Sequence, residues 1–166
     1  RTPSSAGNRR TWTWSSWIKR GALGTLQYIF AGGSANTWVA FLDTDKFLFN
    51  IQDNDESTIT TTQLFRDVSS WYHIVAAIDT TQGTASNRVK VYVNGSQVTD
   101  FSTEVYPSQN YQAGINNTGI HYLGRLNYAA TSWFDGYMAE TVLIDGQQLE
   151  PTSFGEFDED SPTIWK

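Results

Sequence analysis

The segment NRVKVYVNGSQVTDF, residues 87–101, contains two strand patterns joined by a tight turn. Its three valines, at positions 89, 91 and 93, alternate with Lys90 and Tyr92, which is typical of a strand with one buried face. Asn94 and Gly95 both tolerate a positive φ, as a type I′ turn requires when its twist matches the flanking strands. The segment therefore predicts a local β-hairpin whose valines belong to a core.

The same period of two recurs along the chain, and no segment keeps a helical apolar stripe for three turns. In TWTWSSWIKR, residues 11–20, Trp12, Trp14, Ser16 and Ile18 share one face and Trp17 lies on the other. WYHIVAAID, residues 71–79, is apolar on both faces and is expected at the centre of a sheet. Further strands are predicted at residues 27–31, 38–42, 46–52, 58–64, 88–93, 97–101, 119–126 and 134–144.

These strands predict an all-β fold, an antiparallel jelly-roll sandwich of two sheets with a single helical turn near residues 151–154. The 166 residues fit one domain, residues 1–166, and the absence of cysteine excludes disulfides and thiolate metal sites. A net charge of −6 disfavours nucleic-acid binding, and no apolar run reaches the ~20 residues of a membrane span, so we expect a soluble protein without membrane insertion. Because the chain starts at Arg1 and ends in SPTIWK, we expect a module excised from a longer polypeptide.

Four motifs in this order resemble the laminin G-like members of the concanavalin A-like lectin and glucanase superfamily, and together they extend over nearly the whole chain. They are WTWSSWIKR (residues 12–20), SSWYHIVAAID (69–79), NRVKVYVNGSQV (87–98) and FDGYMAETVLIDGQQLEP (134–151). The resemblance implies a jelly-roll sandwich. Members of this superfamily commonly bind glycans or proteins through rim loops or a concave sheet, some hold calcium there, and others hydrolyse polysaccharides.

The two ends of the chain, RTPSSAGNRRTWTWSSWIKR and FGEFDEDSPTIWK, are similar to modules of bacteriophage structural proteins. This resemblance implies a virion protein, with other virion proteins as partners and a homo-oligomer within a fibre as one arrangement. It leaves the function open, because a widely reused architecture supports many functions.

The glucanases of this superfamily use a Glu-x-Asp-x-x-Glu pattern, whose two catalytic carboxylates stand about 5–5.5 Å apart in a retaining enzyme. Glu156 and Asp158 supply the first half of the pattern, but Ser161 stands at the position of the second glutamate. We therefore expect a module that is not an enzyme, with the acidic run FDED in a solvated, flexible tail. His73 is expected to hydrogen-bond a backbone group in the core, and His121 to lie on a strand surface.

Two acidic turns are the candidate metal site, with Asp43 and Asp45 in the first turn and Asp53 and Asp55 in the second. Calcium requires six to eight oxygen ligands, which such turns can supply from carboxylates and carbonyls. Calcium is therefore the candidate cofactor. The alternative is that these residues only initiate turns, which Asp and Asn do without a metal.

Aromatic residues in or beside the Gly/Asn/Ser-rich loops are the candidate ligand-binding residues, because exposed rings stack on the C–H faces of sugars. They are Trp38, Tyr106, Tyr111, Tyr128 and Trp133. The alternative is that a sandwich with 24 aromatic residues exposes some of them at its rims without any function. Trp17 raises a separate question, and we expect a segment outside residues 1–166 to cover it.

The leading hypothesis is a non-catalytic virion module that binds a glycan or a host cell-surface receptor through its rim loops, with weak single sites multiplied by copy number. The second hypothesis is a structural module for capsid decoration or tail assembly that recognises protein only. The third is a glycoside hydrolase.

Overall fold

The computed structural model describes residues 1–33, 37–52, 56–126 and 131–166. In these ranges the chain forms eleven strands and two short 3₁₀ turns, at Ala85–Asn87 and Pro151–Ser153. The strands are β1 (Thr11–Arg20), β2 (Gln27–Gly32), β3 (Thr37–Phe41), β4 (Lys46–Gln52), β5 (Ser57–Leu64), β6 (Tyr72–Asp79), β7 (Val89–Val93), β8 (Ser96–Gln97), β9 (Phe101–Glu104), β10 (Tyr122–Leu123) and β11 (Gly136–Asp145). In the part of the chain that the structure describes, no helix has the length and apolar character needed to cross a membrane.

The strands form two antiparallel sheets. The five-stranded sheet has the order β11-β1-β6-β7-β8, and the six-stranded sheet has the order β10-β2-β3-β4-β5-β9. The predicted all-β sandwich of two sheets is confirmed, and β6 lies at the centre of its sheet as its two apolar faces indicated.

The inner faces of the two sheets share one aromatic and aliphatic core. Trp12 packs edge-to-face against Phe49 with ring centroids 5.7 Å apart, and Trp14 stacks on Phe30 at 6.1 Å. These contacts join β1 of one sheet to β4 and β2 of the other. Burial of each such side chain contributes about 1.5–3 kcal/mol or more, so the contacts between the sheets dominate the stability of the fold.

The hairpin at residues 87–101 forms as predicted at its turn. The valines of β7 are buried, and Asn94 and Gly95 adopt φ values of 48° and 78°. The second strand is different, because the predicted strand at residues 97–101 is divided between two sheets. β8 pairs with β7 in the five-stranded sheet, whereas β9 pairs with β5 in the six-stranded sheet. The predicted strand at residues 119–126 likewise shortens to β10.

The C-terminal residues 155–166 fold back as a hairpin, which we call the C-terminal hairpin. Glu156 and Lys166 exchange backbone N–H···O bonds of 2.8 and 2.9 Å, and Phe157 pairs with Trp165. The acidic run at residues 157–160 is mostly exposed, as predicted, but it belongs to a hydrogen-bonded hairpin rather than a free tail. The hairpin buries its tryptophan against the outer face of the five-stranded sheet. Trp17 is half-buried on the same outer face, where the chain's own His73 contacts it at a ring distance of 4.9 Å.

Candidate functional site

Three aromatic residues on the outer face of the six-stranded sheet define what we call the aromatic surface: Tyr28 and Trp38, whose rings are in contact, and Trp133, which is bridged to Tyr28 through the backbone. Val39 and Phe41 point into the core, so Trp38, which precedes Val39 in the alternation of β3, points outward. Trp38 packs edge-to-face against Tyr28 with ring centroids 5.1 Å apart and an interplanar angle of 83°.

Trp133 joins this pair through the backbone. It forms a parallel bridge with Tyr28, whose N–H donates to the carbonyl of Ser132 at 3.0 Å. Residues paired in this way project on the same side, so the side chain of Trp133 leaves the backbone on the same side as that of Tyr28. Trp133 is 60% exposed, which makes it the most accessible tryptophan among the described residues.

The aromatic surface rests on a small buried layer. Ala31 and Leu126 are each 1% exposed, and the rings of Tyr28 and Trp38 pack against them. Asn50 lies directly opposite Trp38 on β4, and its Oδ1 accepts a hydrogen bond of 3.0 Å from the Thr58 hydroxyl. A row of polar side chains thus begins next to the rings, and packing holds the rings of Tyr28 and Trp38 in place.

The structure brings together two of the five predicted aromatic residues, Trp38 and Trp133, and adds Tyr28, which the sequence analysis missed. Alternation in the sequence did not place Tyr28 on the outer face, because a β-bulge between Tyr28 and Phe30 breaks the period of two in β2. Tyr128 lies outside the described residues.

The remaining two predicted residues, Tyr106 and Tyr111, pack half-buried against the core cluster, away from the aromatic surface. The Tyr106 hydroxyl donates to a carboxylate oxygen of Glu104 at 2.6 Å. Burial, together with that carboxylate, raises the pKa of Tyr106 to about 12. The phenol therefore stays protonated and paired.

In the acidic turn at residues 43–45, one of the two carboxylates has a structural role. Asp45 is 6% exposed, and its carboxylate accepts hydrogen bonds from Arg20 at 3.1 Å, Arg66 at 3.0 Å and the Gly24 N–H at 2.9 Å. Burial raises the pKa of Asp45, but these three hydrogen bonds outweigh it and hold the pKa below its ordinary value. A calcium ion at Asp45 would have to displace two guanidinium groups.

Asp43, by contrast, is exposed, and Asp53 and Asp55 lie outside the described residues. Within the described ranges, no three His, Asp or Glu side chains form a cluster that could hold a metal ion. Calcium at the acidic turns therefore stays a prediction that rests on Asp43 and the two undescribed aspartates.

His73 lies in a buried network that resembles a catalytic dyad but has the wrong proton arrangement. The Trp165 indole, which can only donate, gives its N–H to His73 Nδ1 at 2.8 Å. The proton of the neutral ring is therefore on Nε2 and is donated to Ser15 Oγ, 2.8 Å away. In this tautomer His73 cannot accept the Ser15 proton, so it cannot act as a general base toward that hydroxyl.

Burial lowers the pKa of His73 to about 4, which keeps the ring neutral at physiological pH. The prediction of a backbone partner in the core is wrong, because both ring nitrogens bond side chains, beneath the C-terminal hairpin. His121 also differs from its prediction. It is half-buried, its Nδ1 bonds the Gly119 carbonyl at 3.0 Å, and its Nε2 accepts the Asn116 N–H at 3.0 Å.

The two carboxylates that matched half of the glucanase pattern belong to the C-terminal hairpin. Asp158 Oδ1 accepts the N–H groups of Asp160 and Ser161 at 2.9 and 3.0 Å, and Oδ2 pairs with Lys166 at 3.1 Å. The Lys166 ammonium, with these backbone donors, lowers the pKa of Asp158. Asp158 thus closes the turn of the hairpin, and Glu156 is exposed beside it.

Comparison with known proteins agrees with this architecture. No curated protein sequence matches this chain. Among solved structures, a heptameric SAP-like pentraxin from Limulus polyphemus has a TM-score of 0.60 at 16% identity, covering 86% of this chain and 67% of that chain. Domain 4 of AbnA, an extracellular arabinanase from Geobacillus stearothermophilus in complex with arabinotriose, has a TM-score of 0.58 at 17% identity, covering 88% and 65%.

A third structure, the CBM40 of the Ruminococcus gnavus IT-sialidase bound to α2,3-sialyllactose, has a TM-score of 0.58 at 14% identity and covers 90% of this chain and 81% of that chain. At these identities the similarity establishes the fold alone. The chain spans about two thirds of the pentraxin and of the arabinanase domain. A laminin G family model, described as "Concanavalin A-like lectin/glucanases superfamily", matches residues 1–150. The chain belongs to the concanavalin A-like lectin/glucanases superfamily.

Proposed function

We propose that this protein is a non-catalytic glycan-binding module and that the aromatic surface is its binding site. The observation that carries the proposal is the exposed side chain of Trp133, whose backbone is bridged to Tyr28 of the packed Tyr28–Trp38 pair. An aromatic side chain has few rotatable bonds, so it loses little conformational entropy when a sugar stacks on it. The proposal also draws on two structural neighbours, which are bound to arabinotriose and to α2,3-sialyllactose.

The described part of the aromatic surface offers mainly ring faces and few polar groups, so a single site is expected to bind weakly. Asn50, opposite Trp38, offers amide chemistry for sugar hydroxyls, but it is 3% exposed and its Oδ1 is engaged with Thr58. Stacking therefore supplies most of the contact. Useful affinity would come from many copies on one particle, since linked sites convert later binding events into intramolecular ones.

The setting that we propose is the surface of a phage virion, where the module attaches to host glycans. This setting rests on the similarity of the two ends of the sequence to modules of phage structural proteins. A module that recognises only other virion proteins is the alternative outcome of the experiment below.

A glycan array probed with multimerised protein tests the proposal. The variant Trp133→Ala should lose the signal and keep the melting temperature, because its side chain is mostly in solvent. Trp71→Ala is the matched control, since Trp71 is also an exposed tryptophan but precedes β6 of the other sheet. It should bind like the wild type.

Two results would overturn the proposal. The first is the absence of signal on every glycan from correctly folded multimers, which favours recognition of protein. The second is equal loss of binding in Trp133→Ala and Trp71→Ala, which would disconnect binding from the aromatic surface. Release of reducing ends from β-glucans would overturn the non-catalytic part separately.

A further inference from the structure

A groove of about 860 Å³ lies beside the C-terminal hairpin, and its described lining includes none of the residues of the aromatic surface. One wall is the chain that leads from β8 to β9, residues 96–100. The second wall is the end of β5 at residues 62–63, and the third is the C-terminal hairpin at residues 157, 162 and 163. The volume is in the range of about 300–1,000 Å³ that is usual for small-molecule sites. The family match ends at residue 150, so the third wall lies outside the matched residues.

Contacts within the chain hold these walls in position. Thr62 donates from both its backbone N–H and its hydroxyl to the Asp100 carbonyl, at 3.3 and 3.1 Å, which ties the first wall to the second. In the third wall, Phe157 packs edge-to-face against the buried ring of Trp165, with ring centroids 5.0 Å apart. All three walls are therefore ordered by the chain itself.

The edge strand β8 supplies free backbone groups to the lining. Gln97 lies directly opposite Tyr92 on β7, and the next residue, Val98, donates its N–H to the Val91 carbonyl at 2.9 Å. Hydrogen-bonded and non-hydrogen-bonded pairs alternate along an antiparallel ladder, so the backbone N–H and C=O of Gln97 point away from β7. Because β8 is the edge of its sheet, these two groups have no partner strand. Gln97 thus offers a backbone donor and a backbone acceptor in addition to its side-chain amide.

The side chains of the lining are mostly neutral hydrogen-bonding groups. Those that form no hydrogen bond within the described chain, all of them exposed, are Gln63, Ser96, Gln97, Thr99 and Thr163. Amides and hydroxyls both donate and accept hydrogen bonds, as sugar hydroxyls also do. Phe157, which is 41% exposed, is the aromatic residue of the described lining, and a phenyl ring can pack on the C–H face of a sugar. The lining therefore combines the two kinds of contact that a saccharide requires.

The charge of the lining disfavours an acidic ligand. Its described residues include one charged side chain, the exposed carboxylate of Asp100, and they include no lysine, arginine or histidine. An anionic sugar would be repelled by this carboxylate and would find no positive partner for its own charge.

We propose that this groove is a second saccharide site, which takes neutral oligosaccharides and excludes acidic ones. Gln97 bonds sugar hydroxyls through its backbone and side-chain groups, and Phe157 packs against a sugar ring. The inference goes beyond the proposed function, because the groove shares no residue with the aromatic surface. Either site can fail its test without the other.

The test is a titration of the ¹⁵N-labelled protein, residues 1–166, with three neutral trisaccharides, cellotriose, maltotriose and mannotriose, and with the acidic trigalacturonic acid. Low ionic strength is used, because salt screens repulsion between exposed charges. At least one neutral trisaccharide should shift the backbone amide signals of Gln97 and Thr99 saturably. Trigalacturonic acid should bind at least severalfold more weakly.

Three variants locate the binding. Gln97→Ala removes a side-chain amide at an exposed position, so the fold should persist while the affinity falls roughly two- to tenfold, the usual effect of one neutral hydrogen bond. Gln109→Ala is the matched control, since Gln109 is also an exposed glutamine but is not part of the described lining. Gln109→Ala and Trp133→Ala should both bind at the groove like the wild type.

Four results would overturn the proposal. The site is refuted if no neutral trisaccharide shifts the Gln97 signal up to its solubility limit, or if Gln97→Ala binds as tightly as the wild type. Loss of the Gln97 response in Trp133→Ala would show that the groove is not a separate site. The charge selectivity is refuted if trigalacturonic acid binds as tightly as the best neutral trisaccharide.

Discussion

Lowering the pH from 7 to 5 is expected to destabilise the folded protein by about 2 kcal/mol through His73 alone. Burial lowers the pKa of His73 to about 4 in the folded state, whereas an unfolded histidine titrates near its ordinary value of 6.5. Between these two values the unfolded chain binds the proton and the folded chain does not. Stability is therefore complete above about pH 6.5 and is lost progressively as the pH falls toward 4.

The lower limit of pH 5 separates this effect from that of the carboxylates. Asp45, Asp79 and Asp158 have lowered pKa values, so their contributions are lost only as the pH falls through the acidic range below about 5. The pKa of His121 is lowered by burial as well, so it adds to the loss in the same direction. A variant is therefore needed to isolate the contribution of His73.

The free energy of unfolding is measured by urea denaturation at pH 7 and pH 5 for the wild type, His73→Gln and His121→Gln. Glutamine can still donate to Ser15 Oγ but does not titrate, so His73→Gln should lose about 2 kcal/mol less than the wild type over this interval. His121→Gln should retain the His73 part of the loss. Equal pH dependence in the wild type and His73→Gln would refute the reasoning, because it would show that the ring is protonated as easily in the folded state as in the unfolded state.

Three further predictions concern stability. Asp45→Asn should lower the free energy of unfolding by about 3–5 kcal/mol, since it leaves the buried guanidinium of Arg20 without its counter-charge. The control is Asp43→Asn at an exposed position, which should change the free energy of unfolding by less than about 0.5 kcal/mol. Trp165→Phe keeps a ring over His73 but removes the indole donor, so it should lower the free energy of unfolding by about 1–3 kcal/mol. It should also speed hydrogen exchange of the Lys166 amide in the C-terminal hairpin, and unchanged exchange would contradict this prediction. Calcium bound at the acidic turns would raise the melting temperature above that in a chelator, and equal midpoints would remove the calcium prediction.

Local sequence patterns predicted the parts of the fold that depend on neighbours in the chain. The valine alternation and the Asn94-Gly95 turn specified the β7 hairpin, and the two apolar faces of β6 indicated its central position. Alternation could not show that the next period-two run changes sheets between β8 and β9, because that change depends on pairing with β5, which lies far away in the sequence.

The candidate site was predicted only in part for a similar reason. Trp38 and Trp133 were selected from their loop surroundings, but their common neighbour Tyr28 brings them together through a bridge that spans more than a hundred residues. The role of His73 was missed because its partner Trp165 is 92 residues away. Residue types indicated what chemistry was available, whereas long-range pairing determined which groups meet.

The C-terminal hairpin has a practical consequence for anyone who produces this protein in shortened form. The family match stops at residue 150, which makes that position an inviting boundary for expression. A chain shortened there would lack the C-terminal hairpin, so His73 and the outer face of the five-stranded sheet, which also carries Trp17, would be exposed to solvent. Such a truncated protein should self-associate through this exposed apolar patch. Recombinant versions should therefore include all residues up to Lys166.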